Sequence, residues 1–289
     1  MNNLGLVYLV LGEYNKAIEY FQHSLTIARE IGDRAAEGEV SGNLGKTYYT
    51  LKAYQQAIEC YQQSLTIAQT VGNLQKERAL LGGFGAAYDC LGEYDKAIDF
   101  YYQSLFVAQK LGDRKKEAVT LRLLGLAHDS ISDYHQAICF FEQCVTLAQE
   151  IGDFEEMGRA TGNIGSTYYS LKEYQKAIEY HEQHLNIAVG IGDRLGEAAA
   201  LSNLANSLIE LESYPEALEY LHTALKISRE IGESNTEAVI LYNLAELYDH
   251  IGNLDLALEN CEQAFAIATI LGTSLLQDCR ELRAKLRIK

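Results

Sequence analysis

Apolar and small side chains recur along this chain at helical spacing, in paired stripes that repeat every 40 residues. Between residues 34 and 71, Val40, Leu44, Tyr48 and Leu51 follow i, i+4, i+8 and i+11, which predicts a helix over about 34–50. Ala57, Ile58, Tyr61, Leu65 and Ala68 form a second stripe and predict a helix over about 54–71. Asp33 stands where its carboxylate can accept from the free N–H groups of the first helical turn. Glu37 lies near the positive end of the same helix. Gly32 follows the preceding helix, where a left-handed residue is usually needed.

The register holds along the chain. Glycine returns at 32, 72, 112, 152, 192, 232 and 272, and alanine at 17, 57, 97, 137, 177, 217 and 257. A small-residue column reads Gly5, Gly45, Gly85, Gly125, Gly165, Ala205 and Ala245, as expected where paired helices approach closely. The turn inside each pair carries Gly12, Gly92 and Gly252, but Lys52, Ser132, Lys172 and Glu212 elsewhere, so those four are expected to bear the strain of a positive φ. Pro215 falls at the start of a helix, where its missing N–H is harmless. One helix pair cannot bury both its apolar faces, so each needs neighbours. The expected fold is all-α, a right-handed superhelical solenoid of about seven helix–turn–helix repeats over 1–272, with a capping helix over 273–289. In that cap Leu275, Cys279, Leu282 and Leu286 form the apolar stripe, and Arg280, Arg283, Lys285 and Arg287 the outer face. Met1 aligns with Ser41, so the first helix is short, as in a fragment of a longer array or a brief natural start.

Asn43-Leu44-Gly45, Tyr48, Tyr54, Ala57 and Tyr61 resemble the tetratricopeptide repeat (TPR) consensus. Gly32-Asp33-Arg34, Glu37 and Asn43-Leu44-Gly45 are similar to the TPR arrays of LGN/Pins scaffolds and of bacterial multi-repeat proteins, and more distantly to kinesin light chains. The stretch from Tyr180 to Leu185, with Gly192-Asp193-Arg194 and Asn203-Leu204, carries the same likeness. The resemblance implies a non-enzymatic scaffold or adaptor that binds an extended peptide on its inner helices, with asparagines contacting the partner's main chain. The matching positions are Asn3, Asn43, Asn163, Asn203 and Asn243, joined one turn further on by Lys46 and Asn206. An amide side chain offers a donor and an acceptor, so it can pair with peptide C=O and N–H whatever the sequence. The alternative is that these asparagines solvate the surface or bond to a neighbouring helix.

The ladder is interrupted by Gly83 and Leu123. Arg122 and Arg159 are therefore expected to receive an acidic residue, and Leu123 with Leu126 an apolar one. Tyr49 and Tyr169 follow the asparagines and could stack on a ligand, while Glu210, Glu246 and Asp249 should prefer a basic segment.

The net charge of −16 repels phosphate backbones and anionic lipid, so neither nucleic acid nor membrane is an expected partner. The six cysteines show no CxxC or zinc spacing, which fits a reducing, cytoplasmic setting. His181 and His184 are three apart but align with Phe21 and Ser24, and so are expected to pack rather than bind metal; Cys144 likewise reads as a small buried residue. No cofactor motif or nucleophile elbow is present. Three further readings stay open: a sensor that changes curvature on binding a peptide or small ligand, self-association through exposed end helices, and, most weakly, a nucleic-acid role.

Overall fold

A computed structural model describes the backbone of residues 1–288 and the side chains of 1–287. The described residues form fifteen α-helices: α1 (Asn2–Val10), α2 (Tyr14–Glu30), α3 (Arg34–Thr50), α4 (Tyr54–Thr70), α5 (Leu74–Cys90), α6 (Tyr94–Leu111), α7 (Arg114–Ser130), α8 (Tyr134–Ile151), α9 (Phe154–Ser170), α10 (Tyr174–Ile191), α11 (Arg194–Glu210), α12 (Tyr214–Ile231), α13 (Ser234–His250), α14 (Leu254–Leu271) and α15 (Leu275–Ile288). None of them is long and apolar enough to cross a membrane. Odd-numbered helices are the first of each pair and even-numbered helices the second. The chain divides into two compact units, Met1–Phe140 and Phe141–Lys289, with the division inside α8, although no repeat column breaks there. In the first unit α1 touches α3 and α3 touches α5; in the second, α9, α11, α13 and α15 follow one another in the same way.

The helix boundaries have local causes. Asp33, Asn73, Asp113, Asp153 and Asp193 each accept a hydrogen bond from the backbone N–H three residues on, at 2.9–3.3 Å. Between pairs the chain turns through a left-handed glycine. At Gly112 (φ 65°) the amide donates to Gln109 O, and Asp113 N to Ala108 O, which satisfies two terminal carbonyls. The turn inside a pair uses the same geometry: Lys52 N donates to Tyr49 O and Ala53 N to Tyr48 O, each at 2.9 Å. Lys52, Ser132, Lys172 and Glu212 hold φ between 60° and 63° there, as the glycine column foretold. Replacing any one with glycine is expected to raise stability by about 0.5–1 kcal/mol, the left-handed penalty less glycine's entropy cost. Thermal melts of the single and fourfold variants check this; unchanged or lower melting temperatures would contradict it.

Packing depends on matched sizes across each pair. A Cβ added at Gly45 would lie 2.4 Å from the Tyr61 ring, and one at Gly85 2.4 Å from that of Tyr101. Gly5 stands against Phe21 and Gly165 against His181 in the same manner. Where the column carries Ala205 and Ala245, the corresponding second-helix residues are the smaller Leu221 and Cys261.

Successive repeats are also clamped. Arg29 Nε donates to Glu37 Oε1 at 3.0 Å, Gln69 to Glu77 at 3.0 Å, Gln109 to Glu117 at 3.0 Å and Arg229 to Glu237 at 2.6 Å. Glu37 thus does more than complement a helix dipole: it is buried, and the Arg29 hydrogen bond holds its carboxyl below the ordinary range. In α15, Cys279, Leu282 and Leu286 are buried. Arg283 and Arg287 pair with Glu262 of α14, and Lys285 with Asp249 of α13, so three of the four outer-face cations also tie the cap to the fold, with Lys285 and Arg287 still exposed.

Candidate functional site

The candidate residues lie on first helices, and each unit presents its own set. In unit 1, α3 carries Asn43, Lys46 and Tyr49, and α7 carries Arg122, Leu123 and Leu126. Asn43 is half-buried, and its Nδ2 donates to Asn2 Oδ1 of α1 at 3.1 Å. Lys46 is exposed. Tyr49 is half-buried; its hydroxyl lies 3.6 Å from Cys90 Sγ of α5 and its ring 5.6 Å from that of Tyr54. Burial, reinforced by that thiol, raises the Tyr49 pKa well above the ordinary phenol value. Arg122 and Leu123 are half-buried and Leu126 is exposed.

In unit 2 the set lies on α9, α11 and α13. Arg159 is exposed and forms ion pairs with Glu155 and, at 3.8 Å, Glu156, so its charge is already balanced within α9. Tyr169 donates from its hydroxyl to Glu210 Oε1 of α11 at 3.3 Å, and its ring meets Tyr174 at 5.5 Å. Burial, with Glu210 adding to it, pushes the Tyr169 pKa up to about 12, so it remains a neutral donor at physiological pH. Asn243 is buried at 7% exposure and donates to Ser202 Oγ at 3.0 Å. Glu246 accepts from Tyr242 at 3.0 Å, and Asp249 is occupied by Lys285 at 2.9 Å.

The six asparagines therefore differ, and Asn3 of α1 is exposed. Asn43 and Asn243 bond to the neighbouring first helix, the alternative that the sequence left open. Asn163, Asn203 and Asn206 are half-buried, and among the described residues their side-chain amides have no hydrogen-bond partner. Their backbone carbonyls at 163 and 203 are engaged by Thr167 and Ser207.

Four of the contacts above, Asn2–Asn43, Tyr49–Cys90, Tyr169–Glu210 and Ser202–Asn243, each span 41 residues. Cys90 and Ser202 were not expected at the site. A search for polar pairs one residue beyond the repeat length would have found them.

His181 and His184 are buried against Gly165 and Gly162. Their Nδ1 atoms are buried without a partner. Burial lowers both pKa values, His181 to about 4 with His184 adding to the effect, while Asp193 opposes the shift at His184. Among the described residues, no group of three or more His, Cys, Asp or Glu side chains is placed to hold a metal ion.

Comparison with protein-family models matches the tetratricopeptide repeat over residues 1–70, 76–150, 156–212 and 196–270. The apo form of RapI has a similar fold, with a TM-score of 0.74 at 14% identity over 94% of this chain and 97% of that one. A signal transduction ATPase with numerous domains and a tetratricopeptide repeat sensor, from Pyrococcus horikoshii, gives a TM-score of 0.77 at 18% identity, covering 99% of this chain and 43% of its own. A Rap protein complexed with competence and sporulation factor gives 0.57 at 16% identity, over 91% and 75% of the two chains.

Proposed function

Because the chain belongs to the tetratricopeptide-repeat family, we propose that it is a protein-interaction scaffold holding an extended segment of a partner along α9 and α11. The observation that carries this reading is the set of unpaired, half-buried amides at Asn163, Asn203 and Asn206. Being half-buried, they stay open to water in the free protein. An extended chain can replace that water with its own C=O and N–H groups, and at about 3.3 Å per residue against helices about 10 Å apart, residues about three apart can meet amides on α9 and α11.

The charge at this face favours a basic segment over an acidic one. Glu210 is exposed beside Tyr169, and the chain as a whole is strongly acidic. Arg159 already pairs with Glu155 and Glu156, which argues against its serving as an anchor for an acidic residue. In unit 1, Leu123 and the exposed Leu126 offer apolar contact, and Lys46 a free-standing charge for a second segment.

A pull-down from source-cell lysate tests the reading. Alanine at Asn163, Asn203 and Asn206 together is expected to reduce capture by about tenfold or more, from the loss of several hydrogen bonds. Equal capture by parent and variant, with equal helicity, would refute it. A sensor is the second reading, favoured by the fold likeness to a repeat sensor and to a Rap protein bound to a factor. Compaction of the captured complex in solution scattering would separate that reading from a scaffold of fixed curvature.

A further inference from the structure

A cavity of about 280 Å³ opens between α3, α4 and α5 in unit 1. Ala35, Ile67, Ala68 and Val71 make its apolar wall, and Lys76 supplies a cation. The Lys76 side chain is half-buried, and its ammonium rests against Gly42: a Cβ there would lie 3.0 Å from Nζ. Among the described residues that ammonium has no hydrogen bond and no ion pair. Ser64 Oγ is close by but donates to Gly38 O at 2.6 Å. Glu39 lies near enough to favour the charged amine, yet accepts from Asn2 at 2.8 Å, and burial still lowers the Lys76 pKa below the ordinary lysine value. The repeat does not fix a lysine here: Lys116 shares the column, but so do Ala36, Glu156, Gly196 and Thr236.

A half-buried cation with no direct ion pair, facing an aliphatic wall in a small cavity whose one carboxylate, Glu39, is already held by Asn2, has a complementary ligand class. We propose that this pocket binds a small aliphatic carboxylate. One carboxylate oxygen accepts from Lys76 Nζ in a charge-assisted hydrogen bond, and the hydrocarbon body lies on Ile67, Ala68 and Val71. The cavity is at the small end of ligand-site volumes, which limits the body to a short or branched chain. The carboxylate belongs either to a free acid or to the end of a peptide. The proposal is independent of the asparagine reading, because every residue in it belongs to unit 1.

Isocaproate, its uncharged amide, and a short peptide ending in leucine with a free or an amidated carboxyl are the probes. Binding is followed by chemical shifts of the Ile67 and Val71 methyl groups in the full chain. Saturable binding of isocaproate or of the free-carboxyl peptide is expected, without binding of the amides. The tighter of the two identifies the source. Lys76→Met is expected to weaken binding by about tenfold, whereas Lys226→Met, at an exposed lysine on α12, leaves it unchanged. Gly42→Ala, which removes the seat of the amine while favouring the helix, is expected to weaken it as well. No saturable binding at millimolar concentration, equal binding of acid and amide, or equal effects of the two lysine variants would overturn the proposal.

Discussion

Gly85→Ala is expected to lower the unfolding free energy by about 2 kcal/mol, although alanine is the better helix former. The new methyl group would lie 2.4, 2.5 and 2.9 Å from three atoms of the Tyr101 ring. That ring is 2% exposed and has nowhere to withdraw. Overpacking of this kind costs about 1–3 kcal/mol, and three contacts place it at the upper end, above the roughly 1 kcal/mol of helix propensity that alanine regains. Tyr101→Leu alone creates a cavity and is also destabilising. Together the two changes reproduce the natural pairing of Ala205 with Leu221, so their combined loss should fall short of the sum by about 1–2 kcal/mol. A urea-denaturation double-mutant cycle measures this coupling. Strictly additive losses would show that the glycine column is not set by the rings opposite it.

The second large effect is acid destabilisation centred on His181. Its side chain is 1% exposed, and burial first, then His184, lowers its pKa to about 4. An unfolded histidine titrates near 6.5. Above that pH both states are neutral at this site and its contribution to stability is complete. As pH falls from about 6.5 towards 4 the unfolded chain takes up the proton and the folded chain does not, so stability is lost through this window. A pKa gap of that size corresponds to about 3 kcal/mol near pH 4. His184 is shifted in the same direction and adds to the loss. His181→Phe should remove much of the pH dependence, because Phe21 already sits over Gly5 in the equivalent place. Melting temperatures at pH 7 and pH 4.5 for parent and variant provide the check. An equal acid-induced drop in both would place the sensitivity elsewhere.

Much of the fold is legible in the sequence because each helix boundary has a local cause. Asp33 caps, Gly32 turns left-handed, and Lys52 shares the positive φ of its glycine counterparts. The pairing of Gly45 with Tyr61, or of Ala205 with Leu221, lies between two columns and is invisible when each is inspected alone. The site was less legible. A repeat column records which residue type recurs, but it does not record how neighbouring helices tilt. Tyr49 meets Cys90, and Asn243 meets Ser202, one residue beyond the period. The residue 41 positions earlier also separates the paired amides from the open ones: it is Asn2 for Asn43 and Ser202 for Asn243, but Arg122 for Asn163, Gly162 for Asn203 and Gly165 for Asn206. Lys76 escaped notice for a related reason: its environment depends on the absence of a side chain at Gly42, on another helix.

The most direct test of the scaffold reading uses a benzophenone side chain introduced at Asn206 on α11 and, separately, at Glu219, an exposed position on α12. Each protein is irradiated with the captured partner bound. Adducts from position 206 mapping to one contiguous segment of the partner, with none from position 219, are the predicted result. Adducts from position 219 alone, or equally from both, would contradict binding along α9 and α11.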